Sequence, residues 1–118
     1  MGSPPATATT DLSLDEALAC LSNERRRYTI EIIDDRDDPL PLADAAERVA
    51  ARQYDVGRTA VTGRQRKAVY IGLYQTHMGK LTDVGAVDFD ERAKVLTPAE
   101  NTAVLADTLR RLRARFLE

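Results

Sequence analysis

The fold is decided by residues 77–96, HMGKLTDVGAVDFDERAKVL, where a helix gives way to two short strands. Gly85 is placed to end that helix, because glycine readily adopts the left-handed conformation found at helix ends. Two alternating segments follow, Val87–Phe89 and Lys94–Leu96, which predict a β-hairpin with a turn over 90–93. A lone hairpin is unstable in water, so it must pack on helices. The side chains expected to face those helices are Val87, Phe89 and Val95.

The helix that ends before Gly85 is predicted to span about 64–84 and is the longest in the chain. At about 100° per residue, one broad apolar arc of this helix is expected to face the core. That arc holds Tyr70, Ile71, Leu73, Tyr74, His77, Met78 and Leu81. The opposite arc is small and polar and is expected to be exposed, comprising Ala68, Gly72, Gln75, Thr76, Gly79 and Lys80. Small exposed residues allow a large partner, such as DNA, to approach closely.

Local signals place the remaining elements. Ser13 and Glu16 form an S-x-x-E capping box, and Asn23 is a good N-cap for a second helix. Thr97 followed by Pro98 predicts the start of a last helix, since proline suits the first helical position. These helices are predicted over about 13–21, 24–34, 43–53 and 98–117. A short edge strand is predicted at 40–42, and 54–63 is expected to be a loop with at most one irregular turn.

The predicted elements form one mainly α domain with a small β-hairpin, the layout of a winged helix-turn-helix. The chain has 118 residues, enough for one domain of ordinary size. Residues 1–11 are small and Pro-containing, with little to bury, and are expected to form a disordered tail. Residues 12–97 would form the winged helix-turn-helix domain, and residues 98–118 a C-terminal helix.

Composition argues against several classes of protein. A single cysteine, Cys20, cannot form an intramolecular disulfide and favours a reducing, cytoplasmic setting. No apolar run approaches the roughly 20 residues needed to span a bilayer, so no membrane association is expected. Cys20 and His77 are the only residues of their types, which disfavours a metal site. The sequence lacks a nucleophile–base pair and a phosphate-binding loop, so we expect neither an enzyme nor a cofactor.

Charge is unevenly distributed although the net charge is only −2. Residues 56–82 contain no acid and five basic residues, which suits an anionic partner such as double-stranded DNA. Arginine and lysine bind phosphates or guanine, and glutamine can pair with adenine. The residues predicted to contact DNA are Arg64, Arg66, Lys67, Gln75, Thr76 and Lys80, with Arg92 in the hairpin turn. Residues 31–44 are strongly acidic and are expected to form a solvated loop around 34–38.

The predicted last helix carries an apolar seam. Leu105, Leu109, Leu112 and Phe116 recur at steps of four, three and four residues. This seam can pack on the first helix or pair with its copy in a homodimer. We favour the homodimer, because two recognition helices about 34 Å apart read a palindromic site.

Two motifs resemble those of known regulators. Residues 21–28, LSNERRRY, resemble the second-helix opening of haloarchaeal winged helix-turn-helix proteins, and residues 77–87, HMGKLTDVGAV, resemble the end of the recognition helix in ArsR/MarR-type regulators. The resemblance covers roughly 12–97 and implies a dimeric transcriptional regulator that recognises DNA through residues 64–80. The alternative is a winged-helix module that docks a partner protein and does not bind nucleic acid, which the acidic 31–44 stretch would favour.

Overall fold

The computed structural model describes residues 11–116, so the predicted tail lies, except for Asp11, outside the described residues. The described chain is mainly helical with one small antiparallel sheet. In chain order the helices are α1 (Leu14–Leu21), α2 (Glu24–Asp34), α3 (Leu42–Gln53), α4 (Gly63–Gly72), α5 (Met78–Asp83) and α6 (Thr102–Arg115), and the strands are β1 (Leu40–Pro41), β2 (Val87–Asp90) and β3 (Val95–Pro98). None of the described helices is long and apolar enough to cross a bilayer.

Three predicted helix ends are confirmed. The Ser13 hydroxyl accepts from the Glu16 backbone N–H at 3.0 Å, and the Glu16 carboxylate accepts from the Ser13 N–H at 2.9 Å. Asn23 caps α2 by accepting from the Arg25 N–H at 2.9 Å. Gly85 follows the end of α5 with a φ of +69°, a conformation that side chains larger than hydrogen disfavour. Local side-chain chemistry therefore sets these boundaries.

The sheet has the order β1-β3-β2, so β3 lies in the centre. Leu96 of β3 pairs with Leu40 on one side and Phe89 on the other, and the three side chains share the face that packs on the helices. The prediction that Val95 faces inward is wrong, because Val95 pairs with Pro41 on the other face and is only half-buried. Pro41 lies on an edge strand, as predicted.

The predicted start of the last helix is also wrong. Thr97 and Pro98 belong to β3, where Pro98 pairs with Val87, and α6 begins only at Thr102. The Thr-Pro pair would suit a helix start equally well, but pairing with β2 extends the strand through it. Pro98 is tolerated there because β1 pairs only with Val95 and Leu96, so among the described residues β3 has a partner strand on one side only at Pro98.

The core centres on α2, which packs against α3 on one side and α6 on the other. Ile30 and Ile33 of α2 are fully buried. Leu105 and Leu109, two members of the predicted seam, are buried against this core within one chain. The seam of α6 therefore packs mainly on α2, and only Leu112 and Phe116 retain exposed surface.

Candidate nucleic-acid interface

The predicted 64–84 helix is one continuous helical run with a π-helical turn inside it. The π-helical segment Leu73–His77 joins α4 directly to α5, and we call the whole run, Gly63–Asp83, the central helix. A π-helical turn holds about one residue more than an α-helical turn, so it rotates everything that follows. The residues after the turn therefore face directions different from those that an uninterrupted α-helix would give them.

The burial pattern shows the effect of this rotation. Residues seven apart lie on nearly the same side of a regular α-helix. Ile71 is nevertheless 41% exposed while Met78, seven residues later, is 4% exposed. Leu73 is buried and Lys80, seven residues later, is exposed. The prediction that Ile71 faces the core is wrong because it assumed an uninterrupted α-helix.

The π-helical turn aligns the exposed residues of both halves on one side of the central helix. We call this side the outer face, and its members are Arg64, Lys67, Ala68, Ile71, Gln75, Thr76, Gly79 and Lys80, with the exposed acid Asp83 one turn after Lys80 at its end. Five of the seven residues predicted to contact DNA belong to it, namely Arg64, Lys67, Gln75, Thr76 and Lys80. Arg64 and Lys80 are 16 residues apart, which corresponds to about 24 Å along the helix.

The other two predicted DNA contacts lie elsewhere. Arg66 points towards α3, where a guanidinium nitrogen lies 3.7 Å from a Glu47 carboxylate oxygen. Arg92 is exposed in the turn between β2 and β3, where its backbone N–H donates to the Asp90 carboxylate at 3.0 Å. The structure thus does not bring Arg66 or Arg92 onto the outer face.

The basic residues of the acid-free stretch, residues 56–82, fall into two groups, those that form an ion pair and those that do not. Arg58, like Arg66, pairs with Glu47, at 2.9 Å. Within the part of the chain that the structure describes, Arg64, Lys67 and Lys80 form no ion pair. Three uncompensated positive charges therefore lie along the outer face.

The two glycines of the central helix have different surroundings. A methyl group built on Gly79 would meet nothing within 4 Å, so the outer face is open there. A methyl group on Gly72 would lie 2.5 Å from an Arg25 guanidinium nitrogen. The prediction that Gly72 belongs to the exposed arc is wrong, because the Arg25 side chain covers it. Only Gly79 leaves room for close approach by a partner.

The π-helical turn is contacted from inside by Arg26, a residue that is only 7% exposed. Its guanidinium donates to the Cys20 carbonyl at 2.8 Å and to the Ala19 carbonyl at 3.0 Å. A third N–H lies 3.0 Å from Nδ1 of His77, the last residue of the π-helical segment. Because arginine only donates, Nδ1 of His77 accepts and its proton is on Nε2.

His77 is consequently a neutral structural residue. Burial, followed by the positive charge of Arg26, lowers the pKa of His77 to about 4. The ring stays uncharged near neutral pH and connects the central helix to α2 through Arg26. No group of three or more metal-ligating side chains occurs among residues 11–116.

The arginines of the LSNERRRY motif have structural partners that the sequence alone did not reveal. Arg27 donates to the Leu21 carbonyl at 2.8 Å, and Arg25 donates to the Gln53 side chain at 2.8 Å. With the two carbonyls bound by Arg26, the last three carbonyls of α1 all accept from α2. Positive charge at a helix C-terminus is favourable because it opposes the helix dipole. The sequence signal for these contacts was the run of three arginines, Arg25 to Arg27, that follows shortly after the N-cap residue Asn23.

An aromatic cluster attaches the hairpin to the central helix. The rings of Tyr74 and Phe89 meet edge to face with centroids 6.2 Å apart. The Tyr74 hydroxyl donates to the Glu91 carboxylate, which also accepts from Lys94 at 2.9 Å. The hairpin therefore contacts the helix at its π-helical turn, and its acid Glu91 is already paired.

Comparison with known proteins identifies a family. Residues 18–97 match the family described as Domain of unknown function (DUF7344), and because this range covers more than half of the chain, the protein belongs to that family. The match runs from within α1 to within β3. No curated protein matches the chain. No solved structure matches it either.

Proposed function

We propose that this protein is a sequence-specific, double-stranded DNA-binding transcriptional regulator that acts in the cytoplasm as a homodimer. In this proposal the domain is a winged helix-turn-helix, the central helix is its recognition helix and the β2–β3 hairpin is its wing. The observation that carries the proposal is the outer face, where Arg64, Lys67 and Lys80 lie uncompensated beside Gln75 and Thr76.

The residues of the outer face match the chemistry of the DNA major groove. The groove is about 12 Å wide and accepts an α-helix. Arg64 and Lys67 in the first turns, and Lys80 near the end, suit phosphates on either side of a groove. Gln75, near the middle, can bind adenine bidentately, and Thr76 can reach a base or a phosphate. Gly79 lets the DNA backbone approach the helix.

The test is fluorescence anisotropy with genomic fragments and random duplexes over a range of salt concentrations. Replacing both Arg64 and Lys80 with glutamine removes two phosphate contacts, so affinity should fall at least tenfold. The slope of log K against log[salt] should decrease in magnitude by about 2, since each contact contributes roughly 0.9. The matched control replaces Arg58 and Arg66, which share Glu47, with glutamine and removes the same charge from the chain.

The two double variants distinguish a direct contact between the outer face and DNA from a general effect of the charge of the chain. The proposal predicts less than a threefold change in affinity for the Arg58/Arg66 control. Equal losses in both double variants would contradict a specific role for the outer face. If a folded dimer binds no duplex at any salt concentration, the proposal fails and the protein-docking module becomes the better interpretation.

A further inference from the structure

One large apolar side chain is exposed on the outer face. Ile71 is 41% exposed, and among residues 11–116 it is the exposed large apolar residue of the central helix. It is not one of the partly buried side chains that pack on the core of the described chain. Val69 and Leu73, two positions away on either side, are fully buried and supply the core contacts there. Ile71 is therefore available to a partner that approaches the outer face.

Ile71 lies near the middle of the outer face, between its positive charges. Arg64 is seven residues before it and Lys80 is nine residues after it, which corresponds to about 10 Å and 13 Å along the helix axis. Contacts with phosphates fix the position of a helix on the duplex, whereas contacts with base edges read the sequence. When the charged ends of the outer face bind phosphates, its middle lies over the base edges.

The neighbours of Ile71 on the outer face are an amide and a methyl group. Gln75 follows Ile71 by four residues, and Ala68 precedes it by three; both are exposed. Residues three or four apart on a helix are neighbours, with Cβ atoms about 5–6 Å apart. The middle of the outer face thus presents the Gln75 amide directly beside an apolar patch made by Ile71 and Ala68.

An amide beside an apolar patch matches the major-groove edge of an A·T pair. Adenine presents N7 and N6, which glutamine can bind with two hydrogen bonds, and thymine presents O4 and the C5 methyl group. The methyl group is apolar, so it is read by contact with an apolar side chain. A G·C pair has no methyl group and presents only donors and acceptors, which isoleucine would cover without pairing.

We propose that Ile71 is a specificity-determining residue that contacts the C5 methyl group of a thymine, in or next to the A·T pair that Gln75 reads. This inference rests on the proposed function and specifies which sequences the central helix selects. In it, Arg64 and Lys80 supply affinity for any duplex, whereas Ile71 and Gln75 select the base pair.

The experiment uses a duplex that the unmodified protein selects from a pool of random sequences. This duplex is synthesised once with thymine and once with deoxyuridine, which has the same hydrogen-bonding groups and lacks only the methyl group. Anisotropy should show that the unmodified protein binds the deoxyuridine duplex about fourfold more weakly for each methyl group it contacts, the factor expected for burying one methyl group. Ile71→Ala should bind the two duplexes with affinities within about 1.5-fold of each other, because the contacting side chain is gone.

Val56→Ala is the matched control, because Val56 is 38% exposed, similar to Ile71, but lies in the loop after α3. It should keep the full preference of the unmodified protein for thymine. Circular dichroism checks that both variants are folded.

The inference would be overturned by a selected duplex without an A·T pair, by equal affinity of the unmodified protein for the two duplexes, or by an undiminished preference for thymine in Ile71→Ala. In each of these cases the protein still binds DNA, so the proposed function would stand. If the unmodified protein selects and binds no duplex, the proposed function fails and the role of Ile71 fails with it.

Discussion

The pH dependence of stability follows from the enclosure of His77. In the folded protein the pKa of His77 is lowered to about 4, whereas a histidine in the unfolded chain has a pKa near 6.5. Between these values the unfolded state binds one more proton than the folded state, so the free energy of unfolding falls as pH falls. The slope is about 1.4 kcal/mol per pH unit, which gives a total loss of about 3 kcal/mol.

The variant that isolates this effect is His77→Asn. The asparagine side-chain oxygen can occupy the position of Nδ1 and accept from Arg26, but asparagine does not titrate. Urea unfolding from pH 7.5 to 4 should show that the stability of the variant relative to the unmodified protein rises by about 3 kcal/mol. Taking the difference removes the contribution of the carboxylates, which titrate alike in both proteins.

The result that would refute this reasoning is a stability difference that does not change with pH. His77 would then have the same pKa in the folded and unfolded states, and the guanidinium of Arg26 could not lie 3.0 Å from its Nδ1. A difference that changes between pH 7.5 and 6.5 only would also contradict it, because the folded-state pKa would then lie close to the unfolded value.

Three further predictions concern α1, α2 and the central helix. Gly79→Ala should raise the free energy of urea unfolding by about 0.5–1 kcal/mol, because alanine favours a helix and its methyl group meets no neighbour. Gly72→Ala should raise the same free energy by less, because its methyl group displaces the Arg25 side chain. Equal increases for the two variants would contradict this reasoning. Arg26→Met should lower the same free energy by about 3 kcal/mol, as two carbonyls lose charged hydrogen bonds; a loss below about 1 kcal/mol would contradict the buried geometry. Burial raises the pKa of the Cys20 thiol, so a thiol reagent at pH 8 should modify it only after urea is added.

The sequence predicted the features that depend on neighbouring residues. The Ser13–Glu16 capping box and Asn23 satisfy backbone N–H groups within three positions, so their signal is local. The same holds for Gly85, whose positive φ depends on its own backbone. The uneven charge along the chain predicted the three basic residues of the outer face, Arg64, Lys67 and Lys80, because they lie in the acid-free stretch.

Features that depend on contacts between distant segments were missed. Thr97 and Pro98 suit a helix start locally, yet pairing with β2 places them in a strand. The π-helical turn was not predicted, since the contact observed at its end comes from Arg26, which is distant in sequence and lies 3.0 Å from Nδ1 of His77. Arg25 covers Gly72, the residue just before the turn. The regular helical wheel therefore misplaced Ile71. The acid-free stretch suggested that Arg66 contacts DNA, but the fold places Glu47 of α3 beside it.

The π-helical turn also changes how the central helix tolerates a change in length. Deleting one residue from a regular α-helix turns everything after it by about 100° and exchanges core and surface. In this chain, deleting Gln75 or Thr76 would convert the π-helical turn into an α-helical one, leaving Met78 and Leu81 inside and Lys80 outside. The segment Leu73–His77 thus contains one residue beyond what the core needs. Because of that extra residue, the outer face presents one more side chain than an α-helix covering the same distance along the axis would present.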